Sequence, residues 1–170
     1  MFHFGSKNWS LGFRCFVLAL VLSTGSLFFL GSASGQSSQH RRFNLMGEAV
    51  GLVGYDPISY FPEGGGRPQK GLIGISAVLD GVTYRFASEA NKKIFLVNPA
   101  KYQPIYGGWC AWAVGAIAKR VDVDPENYLI RDDKLYLFYR DPQLDTRALW
   151  LKDTESLLRK AEANWPALSQ

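Results

Sequence analysis

From Ile75 onward the chain alternates apolar and polar residues with a period of two. Ile75, Ala77 and Leu79 precede Asp80-Gly81, and Val82, Tyr84 and Phe86 follow it. Asp-Gly between two alternating runs predicts a tight β-hairpin. Ser88 then stands where it can cap a helix over 89–97, whose Ile94 and Phe95 and, a turn earlier, Ala90 and Asn91 share the face toward the sheet. Asn98-Pro99 ends that helix and starts a further turn through Tyr102. A second alternating pair, Tyr128 to Ile130 and Lys134 to Tyr139, flanks Arg131-Asp132-Asp133 and predicts a second hairpin. Helical spacing closes the chain in Leu144, Ala148 and Leu151, then in Leu157, Leu158, Ala161 and Trp165.

Other segments break these periods. In Gly54-Tyr55-Asp56-Pro57 an acid precedes a proline, the chemistry of a helix start, with one helical turn over Ile58 to Phe61. The glycine-rich stretch from Pro62 to Gly74 predicts a surface loop. Gly107-Gly108 opens a run from Trp109 to Ala118 that is apolar on every side if helical, which demands burial on most sides. Together these elements predict an α+β fold: a small antiparallel sheet assembled from the two hairpins, with helices packed against it.

At the N-terminal end the pattern is of another kind. Lys7 and Arg14 precede an apolar run from Cys15 to Leu30, followed by Gly31-Ser-Ala-Ser-Gly35. That is the order of a secretory signal over 1–35, cut after Ala33 or Gly35. Ser23 to Ser26 interrupts the run, and a spanning helix wants about 20 consecutive apolar residues, so no membrane span is expected after cleavage. Export makes the expected location periplasmic or secreted. Gln36 to Phe43 begins a short flexible leader over 36–46, and a single domain follows over 47–168.

The chain carries 19 basic and 15 acidic residues, a net charge of +4, but Lys7 and Arg14 belong to the signal, leaving 17 against 15. The basic pairs Arg41-Arg42, Lys92-Lys93 and Lys119-Arg120 are separated by acids and make no stripe suited to a nucleic-acid backbone. Cleavage also removes Cys15 and His3, and His40 sits in the leader, so Cys110 is the only thiol of the domain and no histidine is left in it. Serine triads, cysteine–histidine pairs and imidazole-based zinc sites are thereby excluded. Asp122 and Asp124 before Pro125, and Asp132-Asp133, have turn and cap positions without the ligand spacing of a calcium loop.

Cys110 itself has two readings. Near a helix start its thiol is favoured as thiolate, yet it shares a face with Ala113, Val114 and Ile117, where a cysteine serves as a small buried hydrophobe. Trp109 and Trp112 share the adjacent face with Ala116 and either pack the core or wall a pocket, to which Tyr55, Asp56 and Tyr60 would add polar groups.

The stretch from Tyr84 to Tyr102, with its strand aromatics, Ser88 cap, Phe95, Pro99 and Lys101-Tyr102, resembles the signature of the YHS domain family. With Gly54 to Phe61, Tyr106 to Val114 and Ala163 to Pro166, the likeness extends to the longer exported YHS-type proteins of bacteria and covers roughly residues 47–168. The resemblance implies a YHS-like core. Short YHS domains and the related TRASH domains are linked with heavy-metal handling, copper above all, through cysteines at three places. In this sequence those places hold Ser59, Ala87 and Asn91, whose side chains are not soft-metal donors. Three functions follow as expectations. The first is a noncatalytic binding or accessory module for a small ligand or protein partner, without a cofactor. The second is a copper-handling protein with Cys110 as its only thiol donor, and the third a thiol-dependent enzyme built on Cys110.

Overall fold

The computed structural model describes residues 41–170 apart from Glu48. The expected signal sequence over 1–35 and the leader residues 36–40, with Cys15 and His40, lie outside the described residues. The fold is α+β, with strands β1 (Leu45–Met46), β2 (Val50–Gly51), β3 (Leu72–Leu79), β4 (Val82–Phe86), β5 (Asp124–Arg131) and β6 (Lys134–Phe138). Among the described residues they are accompanied by the α-helices α1 (Glu89–Val97), α2 (Pro99–Tyr102), α3 (Ala111–Ile117), α4 (Thr146–Lys152) and α5 (Thr154–Leu168).

Both expected hairpins form. Asp80 and Gly81 take φ of 49° and 73°, and Asp132 and Asp133 take 52° and 56°, so each two-residue turn has the left-handed backbone that matches strand twist. The hairpins do not join into one antiparallel sheet, however. β4 has β3 on one edge and β2 on the other, in the order β1-β2-β4-β3, and β2 runs parallel to β4 through Val50 and Thr83. β2 takes the edge of β4 away from β3, and β5 and β6 form a sheet of their own. β3 also begins at Leu72, inside the expected loop. Leu72 pairs with Phe86 and Ser76 with Arg85, so residues 73–75 bulge out of the ladder.

Strand β6 divides the interior. Its period of two sends Leu135 and Leu137 into one cluster with Tyr60, Phe61, Tyr84, Phe86 and Phe95, and Tyr136 and Phe138 into another with Val114, Trp150, Leu157 and Ala161. Phe95 sits between Tyr84 and Phe86, at centroid distances of 4.8 and 5.2 Å. α1 matches its expected bounds, and Ser88 Oγ accepts from Asn91 N at 3.1 Å. Of its expected apolar stripe Phe95 is buried, Ile94 and Asn91 are half-buried and Ala90 is exposed.

In the second cluster α3 lies so close to α5 that a Cβ on Gly115 would stand 2.5 Å from Leu157 O. The apolar run is buried from Ala111 to Gly115 except for half-buried Trp112, as an all-apolar helix requires. It emerges at Ala116, and Ile117 is 47% exposed where Ala118, at φ 50°, turns the chain away. The face expected of α4 is also corrected. Asp145 caps the helix, leaving Leu144 before it, and Thr146 and Trp150 point inward while Ala148 and Leu151 are exposed. Trp150 is the largest side chain this helix can bury, and it sets the rotation.

Candidate functional site

Four polar or charged residues are buried among those described: Asp56, Ser59, Asn127 and Thr146. They fall into two clusters. Asp56 organises the first from the turn after Gly54. Its Oδ1 accepts from Ile58 N at 2.8 Å, as the capping expectation requires, although Ile58 to Phe61 form hydrogen-bonded turns instead of a helix. Its Oδ2 reaches much further, accepting from Ala87 N at 2.8 Å and from Asn91 Nδ2 at 2.6 Å. Ser59 Oγ donates to Asp56 O at 2.6 Å and accepts from Gln69 N at 2.9 Å, which ties the returning loop to the same point. Ser59, Ala87 and Asn91, the three positions at which the resemblance implies cysteines, thus meet around one buried residue, Ala87 and Asn91 at the Asp56 carboxylate and Ser59 at its main-chain carbonyl. All three partners of the carboxylate are N–H donors, so both its oxygens are held as acceptors.

Tyr55 and Tyr60 flank this cluster and bind the opposite hairpin. Tyr55 Oη donates to Glu126 Oε1 at 2.9 Å, and Tyr60 Oη donates to Pro125 O at 3.0 Å. Burial first, and then the Glu126 carboxylate, raises the Tyr55 phenol above its ordinary value. Tyr60, almost wholly buried and in edge contact with Tyr128 at 5.1 Å, is raised chiefly by burial. Neither phenol is prepared to lose its proton, and both act as donors that hold β5 in place.

Cys110 organises the second cluster. It precedes α3 as its cap residue and is fully buried. Tyr139 N donates to its Sγ at 3.4 Å, and Sγ lies 3.3 Å from Thr146 Oγ1. The Thr146 hydroxyl donates to Tyr139 O at 2.8 Å, leaving the thiol as the donor to Thr146. Asn127 Nδ2 bonds the same Tyr139 carbonyl at 3.3 Å and Asp145 Oδ1 at 2.8 Å, while Asn127 Oδ1 has no partner among the described residues. Thr146 and Asn127 escaped the sequence reading. The available signal was positional: Asp145-Thr146 has the composition of a helix start, and Asn127 interrupts the apolar side of a strand.

The six candidate residues therefore divide. Tyr55 and Tyr60 belong to the first hydrophobic cluster, with Asp56 between them in the chain, whereas Trp109 and Trp112 pack against the second. Cys110 is joined to Thr146 and Tyr139, and no hydrogen bond links it to the Asp56 cluster. A separate concavity of about 330 Å³ opens between the chain entry and α5, with Arg42, Phe43, Gln103, Ile105, Tyr106 and Trp165 among its walls. Among the described residues no three histidine, cysteine or acidic side chains gather as a metal site, and no helix is long and apolar enough to cross a membrane. No family model matches the chain, and no curated protein and no solved structure is similar to it at a significant level.

Proposed function

We propose that this chain is an exported, YHS-like binding or accessory module that works without a catalytic residue of its own. One observation carries the reading: Cys110 Sγ, the only thiol outside the expected signal, is fully buried and has Thr146 and the Tyr139 amide as partners. A nucleophilic thiol must reach a substrate, and a copper donor must meet further ligands. This sulfur instead behaves as a small packed side chain. Burial also suits an oxidising compartment, where an exposed single thiol would pair between molecules. The meeting of Ser59, Ala87 and Asn91 around Asp56 supports the YHS-like reading, because positions far apart in sequence share one locus. The concavity lined by Arg42, Phe43, Asp80 and Trp165 offers a ligand a place with an aromatic wall and one residue of each charge at its rim.

Thiol labelling tests the noncatalytic reading. Cys110 is expected to react with an aromatic disulfide reagent only after denaturation, and labelling of folded protein at the rate of a free thiol would overturn it. Titration with Cu(I) tests the copper-handling alternative, which predicts tight binding that Cys110→Ala abolishes. N-terminal sequencing of the exported protein tests the export reading, with Ser34 or Gln36 expected as the first residue.

A further inference from the structure

Two of the three basic pairs that lie apart in the sequence are brought to the same tryptophan. Trp109 Nε1 donates to Arg41 O at 3.1 Å, and the Arg120 guanidinium lies over the Trp109 ring, 5.7 Å from its centroid. Arg41, Arg42, Lys119 and Arg120 are all exposed, and no carboxylate side chain among the described residues forms an ion pair with any of them. The fold holds both pairs in position. Asn44 N donates to Gly107 O at 2.9 Å, and Gly107, at φ 60°, lets the Arg42 carbonyl approach to where a Cβ would stand 1.8 Å from it. Arg41 Nη1 donates to Gln170 O at 3.2 Å, and the left-handed Ala118 directs Lys119 and Arg120 out of α3. Asp122, two residues after Arg120, lines a different cavity beside Leu45 and Val53, and Asp80 lies with Arg42 along the concavity by Trp165.

We propose that this face docks on an anionic phospholipid surface, with Arg41, Arg42, Lys119 and Arg120 meeting headgroup phosphates and the half-buried Trp109 and Trp112 lying at the interface. Cations without carboxylate partners beside an amphipathic indole match the two chemistries of that boundary: negative phosphates, and a zone where tryptophan is favoured. A nucleic acid fits less well, because the Arg120 guanidinium covers the Trp109 ring on which a base would stack. Docking of this face would hold whether or not the concavity by Trp165 takes a ligand.

Co-sedimentation of the full chain with phosphatidylcholine vesicles, with and without phosphatidylglycerol, tests the proposal. Binding that depends on phosphatidylglycerol and weakens in high salt is expected. Lys119→Glu with Arg120→Glu should weaken it at least about 25-fold, each of the two lost cations counting about fivefold. Lys92→Glu with Lys93→Glu changes the net charge equally on α1 and should leave binding nearly unchanged. The apolar run from Cys15 to Leu30 is common to every variant, so the differences report the face alone. No dependence on phosphatidylglycerol, equal losses from both double variants, or binding to heparin without binding to vesicles would each overturn the proposal.

Discussion

Asp56 and Cys110 are both fully buried and both tie distant segments together, but the polar atoms around them are satisfied to different degrees. Around Asp56 each carboxylate oxygen has a donor, and Ser59 both gives and receives a hydrogen bond. The three buried side-chain atoms without a partner among the described residues, Tyr106 Oη, Trp150 Nε1 and Asn127 Oδ1, all belong to the other side of β6 or to the Cys110 cluster. A buried unpaired polar atom costs about 1–3 kcal/mol, so the two halves of the interior differ in local stability by more than their apolar packing would suggest. The Asp56 half is a closed polar network that fixes a topology. The half containing Trp150 is where the chain tolerates unmet hydrogen-bonding capacity.

Removing the centre of each network gives the largest contrast. Asp56→Ala strands the Ile58 and Ala87 amides and the Asn91 carboxamide, and should cost about 3–5 kcal/mol, a large part of the stability of an ordinary domain. Cys110→Ser keeps a hydroxyl in reach of Thr146 and Tyr139 and should cost no more than about 1–2 kcal/mol. Urea unfolding midpoints of the two variants measure the difference. Equal losses would mean that the thiol has a structural weight its weak hydrogen bonds do not explain.

A smaller effect of opposite sign is expected at Tyr106. Its ring contacts Tyr136 and Trp165 at centroid distances of 6.2 and 5.7 Å, while its buried hydroxyl has no partner, and burial is the main cause that raises its phenol above the ordinary value. Tyr106→Phe keeps the ring contacts and removes the unpaired group, so it should stabilise the protein by about 1 kcal/mol. A loss of stability measured in the same urea titration would show that the hydroxyl is bonded in solution and that the contrast between the halves is smaller.

Elements whose information is local were legible in the sequence. Asp80-Gly81, the alternation around it and the Ser88 cap all act within a few residues, and the first hairpin and α1 follow from them. The separation of the two hairpins was not legible, because it depends on β2, a strand of two residues too short to show a period. At the site, the Asp56 cap was readable for Oδ1, whose partner is two residues away, whereas the Oδ2 partners lie 31 and 35 residues along the chain. The rotation of α4 was misread because three aliphatic positions suggested a stripe, although the one tryptophan had far more area to bury.

The smallest effect concerns the carboxylate that belongs to the Cys110 cluster. Asp145 lies below its ordinary carboxylate range, first because Asn127 donates to it, and further because the Ala148 and Arg147 amides at the start of α4 do so too. A folded-state value depressed in this way adds stability that is fully present above the unfolded value of about 3.9. That contribution shrinks as the pH falls toward the folded value and is gone below it. Asp145→Asn keeps a capping side chain but cannot titrate. The stability difference between wild type and this variant should therefore be larger at pH 6 than at pH 3 when both are unfolded in urea. Glu63 and Asp141, also depressed, are present in both proteins and cancel in the comparison. A difference that does not change between the two pH values would mean that Asn127 holds Asp145 equally well protonated or ionised, and that this cluster, unlike the one around Asp56, is organised by shape instead of charge.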